Sequence, residues 1–347
     1  MTADLIARVD GGAGRLSLNR AAALHALTLD MCHDMTTALT AWAINDAVEL
    51  VIIDHAEGRG FCAGGDIRVL ADSAAADGVV ARRFFHDEYQ LDHRLFTYAK
   101  PAVFFMDGVT MGGGVGISQP ARYRVATENT RCAMPETGIG LFPDVGGGWY
   151  LSRLPGRDGV FLGLTGARMS GADCLALGLA THYLPALSLK DVKAELAADP
   201  HDVEAILARW SAPPPAAKLV ELHAEIDRLF AADTLEAILA TLDADGGAWA
   251  AEQAAILRTK SPLSCKVALR QLTLASAMTD FAEVMRMEYR IARRLLAGRD
   301  FAEGVRAVIV EKDNAPRWTP PTPEDVTNAL TDDIFAPLAP DDEWKPL

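Results

Sequence analysis

An α/β architecture is predicted by three observations. Over the first ~200 residues, apolar runs of strand length alternate with stretches of helical period. Two of the runs are continuous and apolar, the mark of strands covered on both faces. Each of these two is followed by a glycine-rich loop that enters a helix.

Taken in order, "RLSLN" (15–19) alternates like a strand, and 28–45 has helical spacing through Leu29, Cys32, Met35 and Leu39. "VELVIIDHA" (48–56) is the first buried strand, followed by the glycine loop 58–65 and a helical stretch over 66–99. "AVFFMDG" (102–108) is the second, followed by the loop 112–116. "YRVAT" (123–127) and "THYLP" (181–185) read as further short strands. "APPPAAK" (212–218) is a proline break, and beyond it the pattern is mainly helical. In 281–298, Phe281, Val284, Met285, Glu288, Ile291 and Leu295 share one face, with Gly298 as the stop. The chain is thus divided into a core over 1–210 and a helical C-terminal region over 211–347, which ends in a Pro- and Asp-rich tail expected to be loosely ordered.

A net charge of −14 argues against nucleic acid as a partner, because phosphate backbones require clustered Lys and Arg. No uncharged apolar run reaches membrane-spanning length, so no membrane partner is expected. The five cysteines are scattered without a C-x-x-C pair, which fits reduced thiols and leads to an expected cytoplasmic location.

Several chemistries lack their motifs. No glycine loop ends in Gly-Lys-Ser/Thr, no G-x-S-x-G elbow is present, and no G-x-G-x-x-G follows the first strand. His86, Asp87, Glu88, Asp92 and His93 lack the tight spacing of a zinc site and read as an exposed polar helix face, so no metal is expected. What remains are the loops "GRGFCAGGDI" (58–67) and "MGGGVGI" (111–117). N–H groups from two such loops, converging on one oxygen, would form an oxyanion hole; taken singly, each loop is better explained by tight turns and close-packing glycines. "AMPETGIGLFPDVGGGWYL" carries only two ionisable groups, Glu136 and Asp144. They read either as a first-turn acid and an N-cap, or as desolvated carboxyl groups suited to acid–base work.

"FCAGGDI", "GVTMGGGVGIS", "AMPETGIGLFPDVGGGWYLSRLPG", "LTGARMSGADCLALGLATHYLP" and "DFAEGVRAVIVEKDNAPRW" together resemble the crotonase (enoyl-CoA hydratase/isomerase) superfamily, in order and over most of the chain. Within it they are most similar to the branch that hydrolyses short hydroxyacyl-CoA thioesters, 3-hydroxyisobutyryl-CoA of valine catabolism in particular. The resemblance implies a β-β-α spiral core, an acyl-CoA substrate, no separate cofactor and a homo-oligomer. It places the oxyanion donors at Gly65 and Gly113 and a catalytic glutamate at Glu136. Hydratases carry a second glutamate two residues after the triple glycine; here that position is Gly116. The hydrolase pattern instead supplies Asp144, and an acyl-pocket acid that maps to Glu88. Ala22, Ala23, Ala63, Asp66 and Ile67 are implied in substrate binding.

One stretch departs from the pattern. Where the superfamily commonly shows "NRPKALNAL", this chain has "NRAAALHAL", with Ala22 at the lysine position and His25 at the asparagine. Arg20, Arg59 and Arg68 are then the candidate phosphate contacts. The alternatives to a hydrolase are an enoyl-CoA hydratase or isomerase, and a non-enzymatic binding protein on the same fold.

Overall fold

The computed structural model describes residues 2–347 and divides them into two compact units, each built from several chain segments. The first comprises the residues up to Gly65, Gln90–Ala133 and Arg168–Val220; the second comprises Asp66–Tyr89, Met134–Ala167 and Glu221–Leu347. Grouped by packing, 66–89 and 134–167 therefore belong with the C-terminal helices.

The first unit holds both sheets. Its strands are β1 (Leu5–Asp10), β2 (Ala13–Leu18), β3 (Leu50–His55), β4 (Gly60–Cys62), β5 (Ala102–Met106), β6 (Val109–Met111), β7 (Tyr123–Ala126), β8 (Arg131–Ala133), β9 (Met169–Ser170) and β10 (His182–Tyr183). One sheet runs β1-β2-β3-β5-β7-β10 and the other β4-β6-β8-β9. The pairs β3/β4, β5/β6 and β7/β8 each send one strand to each sheet, so three turns of chain stack as a spiral. All pairings are parallel except β1 with β2 and β8 with β9. β1, which has no counterpart among the predicted strands, is an edge strand with an exposed outer half, and its alternation is too weak to read.

The period of two sorts the parallel strands' faces. Leu50 and Ile52, Val103 and Phe105, and Tyr123 and Val125 pack on one side against Leu189, Val192 and Leu196 of the helix Leu189–Ala198. Ile206 and Leu207 of the helix Val203–Trp210 complete this layer. Each such side chain contributes about 1.5–3 kcal/mol by leaving water.

The predicted helix 28–45 forms as Leu29–Ala43, with Thr28 Oγ1 accepting the Met31 N–H as its N-cap. The stretch 66–99 is two helices, Ile67–Ala75 and Val79–Phe96, parted at Gly78 with φ +69°. In the second unit the helix Phe281–Ala297 starts at the Asp280 cap and stops at Gly298. The tail departs from expectation. A helix forms at Asn328–Phe335, Trp344 is fully buried, and Arg290 pairs with Glu343 at 2.9 Å. One large aromatic side chain anchors a segment whose composition alone reads as disordered. No helix among the described residues is long and apolar enough to cross a membrane.

Candidate active site

In the first unit the register of the small sheet sets the glycine loops side by side. β4 pairs with β6 through Gly60↔Val109 and Cys62↔Thr110, so the loops that follow leave from adjacent strands. Gly64, at φ +99°, lies so close that a Cβ there would sit 3.1 Å from the Met111 carbonyl oxygen and 3.3 Å from the Gly113 nitrogen. Gly112 has φ +50° and ψ −121°, a conformation open to glycine alone, and it turns the chain into the helix Gly113–Ser118. Gly113 is the first residue of that helix, so its N–H has no acceptor within it. A side chain at Gly114 would collide with the Cys62 carbonyl, which fixes the helix against β4. The loops thus meet, and the tight packing of their glycines serves that meeting.

The segment around Ala22 and Ala23 runs along the first loop. Ala63 N–H donates to the Leu24 carbonyl at 3.0 Å, Leu27 N–H to the Gly64 carbonyl at 2.7 Å, and Leu27 bridges to Gly65. His25 accounts for its own departure from the pattern. It is fully buried at φ +57°, accepts the Arg20 N–H on Nδ1 at 2.8 Å, and reaches the Glu57 carbonyl from Nε2 at 2.8 Å. Those partners require the neutral Nε2–H tautomer, and burial pulls the imidazole below its ordinary value. Ala22, Arg59 and Arg68 are exposed, Arg20 and Ala23 half-buried.

The acids lie in the second unit. Asp66 and Ile67 open the helix Ile67–Ala75. Glu136 begins a short 3-10 turn, Glu136–Ile139, after Pro135, and is nevertheless buried. The first-turn reading of this acid is therefore correct as local structure and leaves its burial to be explained. The turn is held by Thr137, whose Oγ1 donates to the Leu164 carbonyl at 2.9 Å and whose carbonyl accepts the Ser261 N–H at 3.0 Å. Lys260, just before Ser261, is the nearby cation that the local sequence around Glu136 lacks. Burial lowers its ammonium, while the charges of Cys265 and Glu136 oppose that shift.

Asp144 is no N-cap: Gly146 caps the helix Gly147–Leu151, and the Asp144 carboxyl group instead accepts the Tyr89 hydroxyl on Oδ2 at 2.9 Å. Burial pushes Asp144 up to about 7, against the pull of that hydrogen bond. Glu88, one residue before Tyr89, is 2% exposed, and its Oε1 has no hydrogen-bond partner. Burial and the charge of Asp144 raise it well above the usual carboxylate range. The polar face expected on this helix is thus not exposed at Glu88, nor at Asp92, which is fully buried; His86 and His93 are half-buried.

A third acid stands behind Asp144. Glu288 accepts the Gly146 N–H at 2.7 Å and the Gly148 N–H at 2.9 Å, and Gln271 Nε2 donates to it at 2.8 Å and to the Pro143 carbonyl at 2.7 Å. Burial raises Glu288 to about 8, the two N–H groups hold it down, and the charge of Asp144 raises it further. Between these anchors Val145 sits at φ +53°, strained by about 1–3 kcal/mol for a β-branched residue. Hydrogen bonds to a charged acceptor, at about 1.5–3 kcal/mol each, offset that strain. Tyr89, Lys260, Gln271 and Glu288 are absent from the sequence-derived site. Only Glu288 left a signal, as a charge on the apolar face of its predicted helix.

A family model for enoyl-CoA hydratase/isomerase matches residues 13–335. The chain belongs to this family. It is 42% identical to the mitochondrial 3-hydroxyisobutyryl-CoA hydrolase of Danio rerio, over 94% of this chain and 88% of that one. Among solved structures, a carnitinyl-CoA dehydratase from Mycobacterium thermoresistibile superposes with a TM-score of 0.93 at 41% identity, covering 98% of each chain. An enoyl-CoA hydratase from Rhodobacter sphaeroides 2.4.1 gives 0.93 at 40% identity, covering 99% of each. The fold is therefore the crotonase fold. The relative's mitochondrial name overturns the expected cytoplasmic location. Five buried thiols point to a reducing compartment and do not distinguish one such compartment from another.

Proposed function

We propose that this protein hydrolyses the thioester of a short hydroxyacyl-CoA, with 3-hydroxyisobutyryl-CoA as the first candidate, giving the free hydroxy acid and CoA. The observation that carries the reading is the buried Glu88/Asp144 pair. Burial raises both acids, Glu88 well above the ordinary range with the charge of Asp144 adding to the shift, and Asp144 to about 7, so near neutrality the pair holds a proton that neither acid would keep in water. A protonated acid donates and a carboxylate accepts, which together match a hydroxyl group that does both. An acyl chain without a hydroxyl would leave Glu88 Oε1 unpaired and Asp144 with no partner from the substrate, a penalty that separates substrates by about 10⁴-fold in sites built around a hydroxyl.

The remaining roles follow the family pattern. The N–H groups of Gly65 and Gly113 receive the charge that grows on the thioester oxygen, about 2.7–4 kcal/mol per donor in the barrier. Glu136 either attacks the carbonyl carbon to form an anhydride or removes a proton from water as it attacks. Both routes expel the CoA thiolate and consume one water. Ala22, Ala23, Ala63, Asp66 and Ile67 line the substrate, with Arg20, Arg59 and Arg68 toward the phosphates. Hydration across a double bond calls for a second glutamate two residues after the triple glycine, and the residue there is Gly116.

The test is thiol release from 3-hydroxyisobutyryl-CoA beside water addition to crotonyl-CoA. Rapid thiol release that Glu136→Gln abolishes supports the reading. Hydration of crotonyl-CoA without thiol release sinks it.

A further inference from the structure

We propose that Glu288, together with Gln271, is a positioning device that holds the Pro143–Gly148 turn so that Asp144 presents its carboxyl group to the substrate hydroxyl; this rests on the role given to Asp144 above. The bonds bracket Asp144 on both sides. Gln271 takes the Pro143 carbonyl before it, and Glu288 takes the Gly146 and Gly148 N–H groups after it. The Gln271 amide also ties the anchors together by donating to Glu288 Oε1.

The backbone between the anchors does not favour this shape unaided. Val145 is β-branched and held at φ +53°, where a free turn would relax and rotate the adjoining peptide that carries Asp144. Gly148 admits the acid against the main chain, since a Cβ there would lie 2.8 Å from Glu288 Oε1 and 2.9 Å from Gln271 Nε2.

Packing alone does not call for an acid here. Glu288 is fully buried, and its hydrogen-bond donors are two backbone N–H groups and one amide, none of them a cation. A buried carboxyl group among other acids is costly, and apolar residues of similar volume fill such space at less cost. What an acid offers is two acceptor oxygens, one for each N–H. Glutamine offers one acceptor and would leave Gly146 or Gly148 unpaired.

The experiment compares thioester hydrolysis of 3-hydroxyisobutyryl-CoA and isobutyryl-CoA, which differ only in the hydroxyl. The enzymes are wild type, Asp144→Asn, Glu288→Gln, Gln271→Met and the double variant Val145→Gly/Glu288→Gln. Amide hydrogen exchange at Gly146 and Gly148 is measured alongside. Glu288→Gln is expected to lower the hydroxyl preference in kcat/KM by about tenfold or more, and to leave isobutyryl-CoA hydrolysis within about threefold. Exchange at the two amides accelerates by a similar factor. Glycine adopts φ +53° without strain, so Val145→Gly restores much of the lost preference, which a purely structural defect would not permit. Should Glu288→Gln fail to fold, Gln271→Met, which keeps the acid and removes the Pro143 anchor, makes the same comparison.

Unchanged amide exchange in Glu288→Gln overturns the device. So does a retained hydroxyl preference in Glu288→Gln when Asp144→Asn has lost it, which leaves the role of Asp144 standing. If Asp144→Asn itself keeps the preference, the role given to Asp144 fails, and the device is overturned with it.

Discussion

Asp144→Asn is expected to inactivate the enzyme toward its hydroxyacyl substrate and to stabilise the fold at alkaline pH. Burial moves Asp144 from the ordinary 3.8 to about 7. At 1.36 kcal/mol per pH unit, ionising it inside the folded protein costs about 4 kcal/mol. The sign follows from proton counting. Between about pH 4 and pH 7 the folded state holds a proton that the unfolded chain has released, so stability falls as pH rises. The contribution is fully present below pH 4 and fully lost above pH 7. Asparagine still accepts the Tyr89 hydroxyl at its Oδ1 and never ionises, so the variant escapes the fall. Urea unfolding of both proteins near pH 5 and near pH 8 reads this group together with its coupling to Glu88 and Glu288, which its charge raises. The variant's advantage should grow with pH to at most about 4 kcal/mol, diminished where Glu288, itself raised to about 8, takes up the proton instead. A variant less stable than wild type near pH 8, or an advantage that does not grow with pH, would refute the account of a desolvated carboxyl group.

Three further expectations address other parts of the site and fold. Glu88→Gln keeps a donor in place of the protonated acid and should retain the preference for 3-hydroxyisobutyryl-CoA over isobutyryl-CoA within about tenfold, whereas Glu88→Ala should lose it by about 100-fold or more, read from the ratio of kcat/KM values. Gly114→Ala places a methyl group into the Cys62 carbonyl and should lower kcat by about 10²-fold through the displaced Gly113 donor, with KM changed less in steady-state assays. Trp344→Ala removes the buried anchor of the tail and should cost about 3–5 kcal/mol in denaturant unfolding, while a loosely ordered tail would show no change.

What the sequence made legible was local in origin. The glycine loops could be read because a buried strand, glycines and a helix start follow one another within a few residues, and Glu136 and Asp144 stood out as acids in an apolar stretch. The meeting of the two loops was not local, because it depends on the register of β4 against β6. Glu88 was placed by family resemblance alone; by pattern it read as an exposed acid on a polar face. Tyr89, Gln271 and Glu288 reach Asp144 or its turn from 55, 128 and 142 residues away, and no periodicity encodes such pairings. Glu288 is the instructive miss. A charge on an apolar helix face implies a buried polar partner, and here the partner is the backbone of the turn that carries Asp144.

The family spans several reactions: solved structures at 41% and 40% identity bear the names of a dehydratase and a hydratase, while the curated relatives, at 42% identity for that of Danio rerio, bear that of a hydrolase. The choice turns on where the carboxyl groups stand and which of them hold protons. At Gly116 the chain offers no group to hold water against a double bond. In the second unit it instead collects Glu88, Asp144 and Glu288, whose burial and mutual repulsion keep them from all ionising together near neutral pH. Tyr89 donates to Asp144 and favours its charged form, while Glu88 has no hydrogen-bond partner on Oε1 and is raised by burial and by the charge of Asp144. On the proposed reading, such a pair recognises a hydroxyl on the acyl chain and has no counterpart in an alkene. The arrangement costs the protein stability, and stability alone would have removed it. On the proposed reading, a hydroxyacyl thioester that pairs with both acids gives that cost a function.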